Sequence, residues 1–209
     1  MNASIELMNL QTEQLHHDEF AHKDILCLPI QTRIKHMVLH FSKYVGRLIE
    51  AREVQSHELL ISTLVDTWII VLASANMLNI RLSDKLNLDL HGHESLNSIG
   101  EVFASLHSAS TSDPFDLTLF ELGKITGKMA KACESLDHME KFASREALEQ
   151  GVLEIARLSL AVSTILKINV SLLVSSRWKE VERKSIFYRP QKDGRSTEDI
   201  YLASRISLI

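Results

Sequence analysis

The chain has 209 residues, of which 45% are hydrophobic and 24% charged, and its formal net charge is −4. This length and apolar content suit one domain with a substantial core. A slightly acidic chain without a long Lys/Arg run is not expected to bind nucleic acid. Cys27 and Cys133 lie far apart and form no CxxC motif, which predicts a cytoplasmic protein with two free or packed thiols.

The first half of the chain contains a polar segment followed by two helices. Residues 1–28 are polar and weakly periodic, with one short helix near residues 5–15. After Pro29, apolar residues recur every three to four positions, which predicts a helix over 30–52. A second helix, over 57–79, is apolar nearly all round and long enough to raise the question of a membrane span. Its polar residues and the lack of basic flanks favour the centre of a helical bundle, so no membrane partner is expected.

The second half continues the helical pattern. After a break at 80–93, helices are predicted over 95–108, 115–142 and 144–180, the last with a break near 168–172. No strand-like alternation of useful length occurs, and only three prolines interrupt the chain. The sequence therefore predicts an all-α helical bundle of about five to six helices over 29–187, with a polar N-terminal segment at 1–28 and a C-terminal tail at 188–209.

The two halves resemble each other. Residues 44–51 (YVGRLIEA) are similar to 125–132 (ITGKMAKA), and the short segment ending at Asp66 is similar to the one ending at Glu154. A glycine inside a helix costs about 1 kcal/mol relative to alanine. Gly46 and Gly127 are therefore predicted to lie at close helix–helix contacts. This pattern indicates a tandem repeat over 29–94 and 115–180, although two amphipathic helices can also match by coincidence.

Asp66 lies in the apolar helix and carries the only charge between Glu58 and Arg81. An ionised carboxylate in apolar surroundings costs several kcal/mol unless it is paired, hydrogen-bonded or bound to a metal. Asp66 is therefore expected either to have a partner in the fold or to take part in chemistry.

Two segments carry a resemblance to a known family. Residues 43–51 (KYVGRLIEA) and 64–80 (LVDTWIIVLASANMLNI) are similar to the two core helices of the MazG-like all-α nucleoside triphosphate pyrophosphohydrolases, the superfamily that also contains dimeric dUTPases. The family's first helix carries Glu-Glu-x-x-Glu and its second carries Glu-x-x-Asp. Asp66 matches that aspartate, and Thr63 replaces the glutamate before it. The three glutamates of the first helix are replaced by Lys43, Tyr44 and Arg47.

The resemblance implies Mg²⁺-dependent hydrolysis of a nucleoside triphosphate to the monophosphate and pyrophosphate. Asp66 is the candidate catalytic residue. Glu58 precedes Asp66 by about two turns, roughly 12 Å along the helix axis, so shared ligation would need help from the first helix. The candidate magnesium ligands are Asp66, Glu50, Glu53 and Glu58, and the candidate substrate-binding residues are Lys43, Arg47 and Asn76.

The alternative is that Asp66 forms an ion pair with Arg47 or Lys43, and Glu154 one with Lys128 or Lys124. Such pairs would be structural, or would form a cationic pocket for an anionic ligand such as a nucleotide, because arginine binds phosphate bidentately. The protein would then be a non-catalytic helical protein of the same fold that serves nucleotide binding or oligomerisation. A homo-oligomer is expected in either case, since the apolar helices offer more surface than one small bundle covers.

Smaller patterns suggest further binding sites. His36 and His40 are spaced i, i+4 on one helix, a spacing that can bind a transition metal. Glu134, Asp137 and His138 form a similar stripe. For both groups the alternative is an ordinary exposed or core-edge helix face. The last helix has a basic end at residues 177–184. The resemblance to the MazG-like enzymes, in which a basic stretch after the core can approach the nucleotide, implies such a role here, and the alternative is an exposed helix end whose cations complement the helix dipole.

Overall fold

The computed structural model describes residues 2–86, 92–107 and 113–184, and the predicted tail at 188–209 lies outside these ranges. The described residues are helical and contain no strand, so the all-α prediction is confirmed. They form nine helices, two of which are single turns, and the predicted number of five to six is not confirmed. The helices are α1 (Ala3–Ala21), α2 (Lys23–Leu26), α3 (Ile30–Glu53), α4 (His57–Met77), α5 (Leu82–Lys85), α6 (Leu96–His107), α7 (Pro114–Asp137), α8 (Ser144–Ile165) and α9 (Val170–Lys184).

Two helical hairpins form the centre of the fold. Helix α3 packs on α4, α7 packs on α8, and the hairpins meet through α3–α7 and α4–α8 contacts. Helix α6 covers α8, while α1 packs against α4, α5, α6 and α9. The core is continuous across these helices, and its largest fully buried side chains include Trp68, Phe41, Leu48 and Leu64.

Helix α4 is the central element. Ser56 caps it by accepting a hydrogen bond from the backbone N–H of Leu59 at 3.2 Å. Among the described residues, α4 is the one helix that is by itself long and apolar enough to cross a membrane. The bent pair of α8 and α9 is also long and apolar enough if the two are taken as one span. Two thirds of the most apolar 18-residue stretch of α4 is buried inside the fold, as expected for a core helix. The apolar composition of α4 is therefore only weak evidence for a membrane span.

Turns set the ends of the later helices. The helix predicted over 115–142 ends at Asp137, since Met139 adopts a left-handed φ of 51°. The helix predicted over 144–180 is divided into α8 and α9, which are inclined by 106° to each other. Lys167 is left-handed in this turn, and the side chain of Asn169 accepts from the N–H of Leu172 at 3.1 Å. The bend brings α9 back across α4.

The N-terminal helix is longer than predicted. Instead of a short helix near residues 5–15, the chain forms α1, a helix of 19 residues capped by Asn2. Its inward face includes Gln11, Gln14 and His17 beside Leu7 and Leu10, and all five are buried. These polar residues weaken the apolar periodicity on which the sequence prediction relied.

Gln11 connects α1 to the end of α4. Its amide nitrogen donates to Asn76 Oδ1 at 3.0 Å and to the carbonyl of Ile80 at 2.7 Å, and its amide oxygen accepts from the N–H of Leu82 at 3.0 Å. Asn76 in turn donates to the carbonyl of Gln11 at 3.0 Å. These bonds satisfy buried backbone groups in the turn between α4 and α5.

Replacing Gln11 with methionine is expected to destabilise the protein by about 1.5 kcal/mol, because buried polar groups at Ile80 and Leu82 lose their partner. Urea unfolding would measure this change. Asn9→Met, at an exposed position of the same helix, is the control and is expected to change stability by less than about 0.5 kcal/mol. Equal effects of the two substitutions would contradict a structural role for the Gln11 network.

The expectation for Gly46 and Gly127 was wrong. Both are exposed, and a Cβ atom built at either would meet nothing within 4 Å. The close approaches occur at Gly100 and Gly151 instead. A Cβ at Gly151 would lie 2.6 Å from Met129 Cγ, and one at Gly100 would lie 2.6 Å from the carbonyl oxygen of Leu160.

Candidate functional site

Asp66 lies at the meeting point of three helices. Arg47 of α3 donates from Nη1 to Asp66 Oδ2 at 2.7 Å. Arg177 of α9 donates from Nε to Asp66 Oδ1 at 2.8 Å and from Nη2 to Oδ2 at 3.5 Å. The carboxylate therefore accepts three charge-assisted hydrogen bonds from two guanidinium groups. This arrangement accounts for the isolated charge in the apolar helix.

The cluster of Arg47, Asp66 and Arg177 is partly shielded from water. The exposed fraction of the side chain is 12% for Asp66, 27% for Arg47 and 34% for Arg177. The hydrogen bond to Asp66 raises the pKa of Arg177. Both arginines also have polar neighbours, since Arg47 Nη2 donates to Ser62 Oγ at 3.3 Å and Arg177 Nη1 donates to Glu180 Oε2 at 2.9 Å.

Tyr44 packs beneath the basic residues of α3. The Arg47 guanidinium carbon lies 5.8 Å from the centre of its ring, and Lys43 Nζ lies 4.9 Å from it. Burial raises the pKa of the Tyr44 hydroxyl, and the negative charge of Asp66 raises it further. Tyr44 is therefore a neutral packing residue at physiological pH.

Lys43 faces His40 instead of Asp66. Lys43 Nζ lies 3.1 Å from His40 Nδ1, and His40 Nε2 lies 3.0 Å from His36 Nε2. Burial, followed by the charge of Lys43, lowers the pKa of His40 to about 4, so this ring is neutral at pH 7. Of the two predicted partners for Asp66, the structure shows Arg47 and not Lys43.

An open cleft of about 560 Å³ lies beside the cluster, between α3, α4 and α9. Both arginines line it, together with Ser62 and the apolar side chain of Leu173. Two carboxylates, Glu58 and Glu180, also line the cleft. A cleft of this size with two guanidinium groups on its wall can accept an anionic ligand.

The other predicted site residues are dispersed. Glu50, Glu53 and Glu58 are exposed, and of these three only Glu58 lines the cleft. Asn76 lies further along α4, where it bonds with Gln11. Within the described ranges, no group of three His, Cys, Asp or Glu side chains is placed to hold a metal ion. The predicted stripe of Glu134, Asp137 and His138, at the C-terminal end of α7, therefore does not form such a group.

The second hairpin contains a weaker counterpart of the cluster. Lys128 Nζ of α7 lies 3.9 Å from Glu154 Oε2 of α8, and the two side chains are 69% and 33% exposed. Lys124, the other predicted partner, instead pairs with Glu121 at 2.8 Å. The basic residue after each glycine thus contacts the carboxylate of the following helix in both hairpins.

The contact between Arg177 and Asp66 is the part of the site that the sequence analysis missed. The sequence placed Arg177 in a basic helix end, but the chain separation from Asp66 gave no reason to pair them. The signal lay in the predicted break near 168–172, because a bend there is what turns α9 back onto α4.

Comparisons with protein-family models, curated proteins and solved structures found no match to this chain.

Proposed function

We propose that this chain is a non-catalytic helical protein, MazG-like in fold, that binds the phosphate groups of a nucleotide in the cleft beside Asp66. The observation that carries the proposal is the position of Arg47 and Arg177 on the cleft wall, where Asp66 orients both guanidinium groups. Arginine forms bidentate hydrogen bonds to phosphate oxygens, and a prearranged pair loses little side-chain freedom on binding.

The charges around the cleft indicate how an anion would enter. Asp66 holds Arg47 and Arg177 from within the fold, while Glu180, whose side chain is 54% exposed, occupies Nη1 of Arg177 from the solvent side. A phosphate group can replace Glu180, since an exposed ion pair contributes little. Asp66 then remains as the support of the two arginines and does not contact the ligand.

A Mg²⁺-dependent pyrophosphohydrolase is the second candidate, favoured by the position of Glu58 on the same cleft. The residues present do not fit magnesium well. Mg²⁺ takes oxygen ligands in near-octahedral geometry, whereas both Asp66 oxygens accept from arginine and Glu50 and Glu53 lie outside the cleft. We therefore assign no reaction step to the metal, and magnesium belongs to this second candidate alone.

Calorimetric titration with a panel of nucleoside triphosphates in EDTA would test the proposal. We expect metal-independent binding that weakens at least tenfold in Arg177→Gln, because the phosphate loses the charged guanidinium group that Glu180 would otherwise occupy. Arg81→Gln, an exposed arginine outside the cleft, is the matched control and should retain the affinity of the wild type.

A pyrophosphate-release assay with Mg²⁺ distinguishes the two candidates. Turnover that depends on Mg²⁺ and disappears in Asp66→Asn would support the hydrolase and overturn the non-catalytic proposal. Absence of both turnover and nucleotide binding in the wild type would overturn both candidates.

The tandem repeat is part of the same proposal. Helices α3 and α4 have 24 and 21 residues, and α7 and α8 have 24 and 22. The similar lengths, the equivalent packing of the hairpins and the matching carboxylate contacts support an origin by duplication. Among the described residues, Asp66 of the first hairpin bonds to α9, whereas Glu154 of the second hairpin contacts Lys128 and Gln150. The ligand site is therefore assigned to the first copy.

Self-association remains a prediction of the proposed fold. Several large apolar side chains are more than half exposed, among them Leu39, Phe120 and Leu172. Such residues are typical of contact surfaces when they are contiguous. Static light scattering at several concentrations should show a dimer or larger species, and a strict monomer would remove this part of the proposal.

A further inference from the structure

A second cavity, of about 130 Å³ and more enclosed than the cleft, lies between α1, α2, α3 and α4. Its polar wall contains Asp18, His22, Arg33, His36 and His40. Its apolar wall is formed mainly by Ile69, Ile70 and Ala73 of α4. No part of the proposed nucleotide site uses these groups.

The carboxyl group of Asp18 lines the cavity and can take up a proton near neutral pH. Trp178 Nε1 donates to Gln14 Oε1 at 2.7 Å, which directs the Gln14 amide nitrogen to Asp18 Oδ1, also at 2.7 Å. Burial raises the pKa of Asp18 to about 7, although the Gln14 hydrogen bond and the charge of Arg33 oppose this rise. The carboxyl group is therefore largely neutral below pH 7.

Arg33 places a guanidinium group beside Asp18. Its Nε is buried and has no hydrogen-bond partner within the described part of the chain. Buried polar groups without a partner are rare and costly, and a bound ligand is one reason for their presence. When Asp18 is protonated, the net charge of the cavity is that of Arg33.

The cavity histidines provide hydrogen-bonding groups. Burial lowers the pKa of His22 and of His40, and the Lys43 ammonium adds to the effect on His40. Lysine can only donate, so Nδ1 of His40 accepts from it, and Nε2–H of His40 donates to Nε2 of His36. This tautomer leaves Nδ1–H of His36 as a donor.

We propose that this cavity binds a small aliphatic monocarboxylate. Its carboxylate would accept from Arg33 Nε and the histidine N–H groups, while its alkyl chain would pack on Ile69, Ile70 and Ala73. A cavity of about 150 Å³ holds a benzene molecule, so this one suits a ligand of roughly four to six heavy atoms. A metal ion does not fit, because Arg33 repels cations and no group of three ligands is formed in the described residues.

The remaining charges around Asp18 do not alter this assignment. Helix α1 provides Asp18 with Gln14 beside it, α3 provides Arg33, His36 and His40, and α4 provides only the neutral Asn76 as a polar group. Helix α2 lines the cavity with Ile25 and Leu26, and its Asp24 acts electrostatically on His22. Asp66 acts on His40 only weakly, as the smallest influence on its pKa.

Calorimetry and thermal-shift titrations with acetate, propionate and butyrate, at constant ionic strength, test the proposal. We expect saturable stabilisation that is stronger for propionate and butyrate than for acetate, since the apolar wall contacts the longer chains. Affinity should fall about tenfold between pH 6 and pH 8, because an ionised Asp18 repels the ligand. Equal effects of inorganic phosphate, or no saturable binding, would overturn the proposal.

Variants separate this binding from a general effect on folding. Arg33→Met should weaken butyrate binding at least tenfold, whereas Arg52→Met, at an exposed arginine paired with Asp116, should leave it unchanged. Asp18→Asn keeps an acceptor for Gln14 and removes the titrating proton, so binding should persist and lose its dependence on pH. Binding in Asp18→Asn that still falls between pH 6 and pH 8 would contradict the role of Asp18.

Discussion

Replacing Asp66 with alanine is expected to lower the free energy of unfolding by about 3 kcal/mol. The substitution leaves Arg47 and Arg177 close together and partly buried without their shared carboxylate, and breaking a shielded ion pair costs several kcal/mol when one charge remains. Three hydrogen bonds that join α3, α4 and α9 are lost at the same time. Urea unfolding followed by circular dichroism would measure the change.

Glu154→Ala is the matched control for this experiment. Glu154 occupies the corresponding position in the second hairpin, but its contact with Lys128 is long and both side chains are more exposed. Exposed pairs contribute less than about 1 kcal/mol, so a loss of about 0.5 kcal/mol or less is expected. Equal losses in the two variants would contradict the interpretation of Asp66 as a structural support.

The direction of the stability change in Asp66→Ala also distinguishes a metal-binding carboxylate from a structural one. A carboxylate kept for metal binding is often a local cost to stability, so its removal tends to be neutral or stabilising. A carboxylate that supports two arginines gives the opposite result. Added Mg²⁺ should also leave the melting temperature of the wild-type protein unchanged, because a cation that does not bind the native state does not stabilise it.

The sequence predicted helices more successfully than the contacts between them. The observed α3 begins directly after Pro29 and α4 begins at residue 57, as the sequence predicts, because local signals determine where a helix starts. The predicted Arg47–Asp66 pair forms because both residues belong to one hairpin. The contact of Arg177 with Asp66 was missed because it depends on the 106° bend before α9, which is a property of tertiary packing.

The polar cavity was not predicted for a related reason. Asp18 and Arg33 lie on two different helices, and neither stands out in the sequence, while His40 was noted only for its spacing from His36. Burial between the packed helices raises the pKa of Asp18, and the same packing leaves Arg33 Nε without a hydrogen-bond partner among the described residues. Periodicity identifies buried apolar faces, but it does not identify polar residues that share a cavity.

Helix α9 connects the two proposed sites. Its neighbouring residues Arg177 and Trp178 face different partners, Arg177 bonding to Asp66 and Trp178 to Gln14, which holds Asp18. Both connections are short and at least partly buried. The position of α9 therefore influences the arginines of the cleft and the carboxyl group of the cavity together.

Gly100→Ala is expected to destabilise the protein by about 2 kcal/mol. The new methyl group would lie 2.6 Å from the Leu160 carbonyl oxygen and against the side chain of Thr164, so α6 must move away from α8. Overpacking of this kind costs about 3 kcal/mol when the opposing atom belongs to the backbone, and the better helix propensity of alanine recovers about 1 kcal/mol. Thermal and urea unfolding would measure the net loss.

Gly46→Ala is the opposite case and provides the control. Gly46 is exposed within α3, so alanine gains helix propensity without meeting another atom, and stability should rise by about 0.5–1 kcal/mol. The two Gly→Ala substitutions are therefore expected to change the free energy of unfolding in opposite directions, with a difference of about 3 kcal/mol between them. Stabilisation by Gly100→Ala would contradict the close α6–α8 contact, whereas destabilisation by Gly46→Ala would indicate that a partner surface packs against the exposed side of α3.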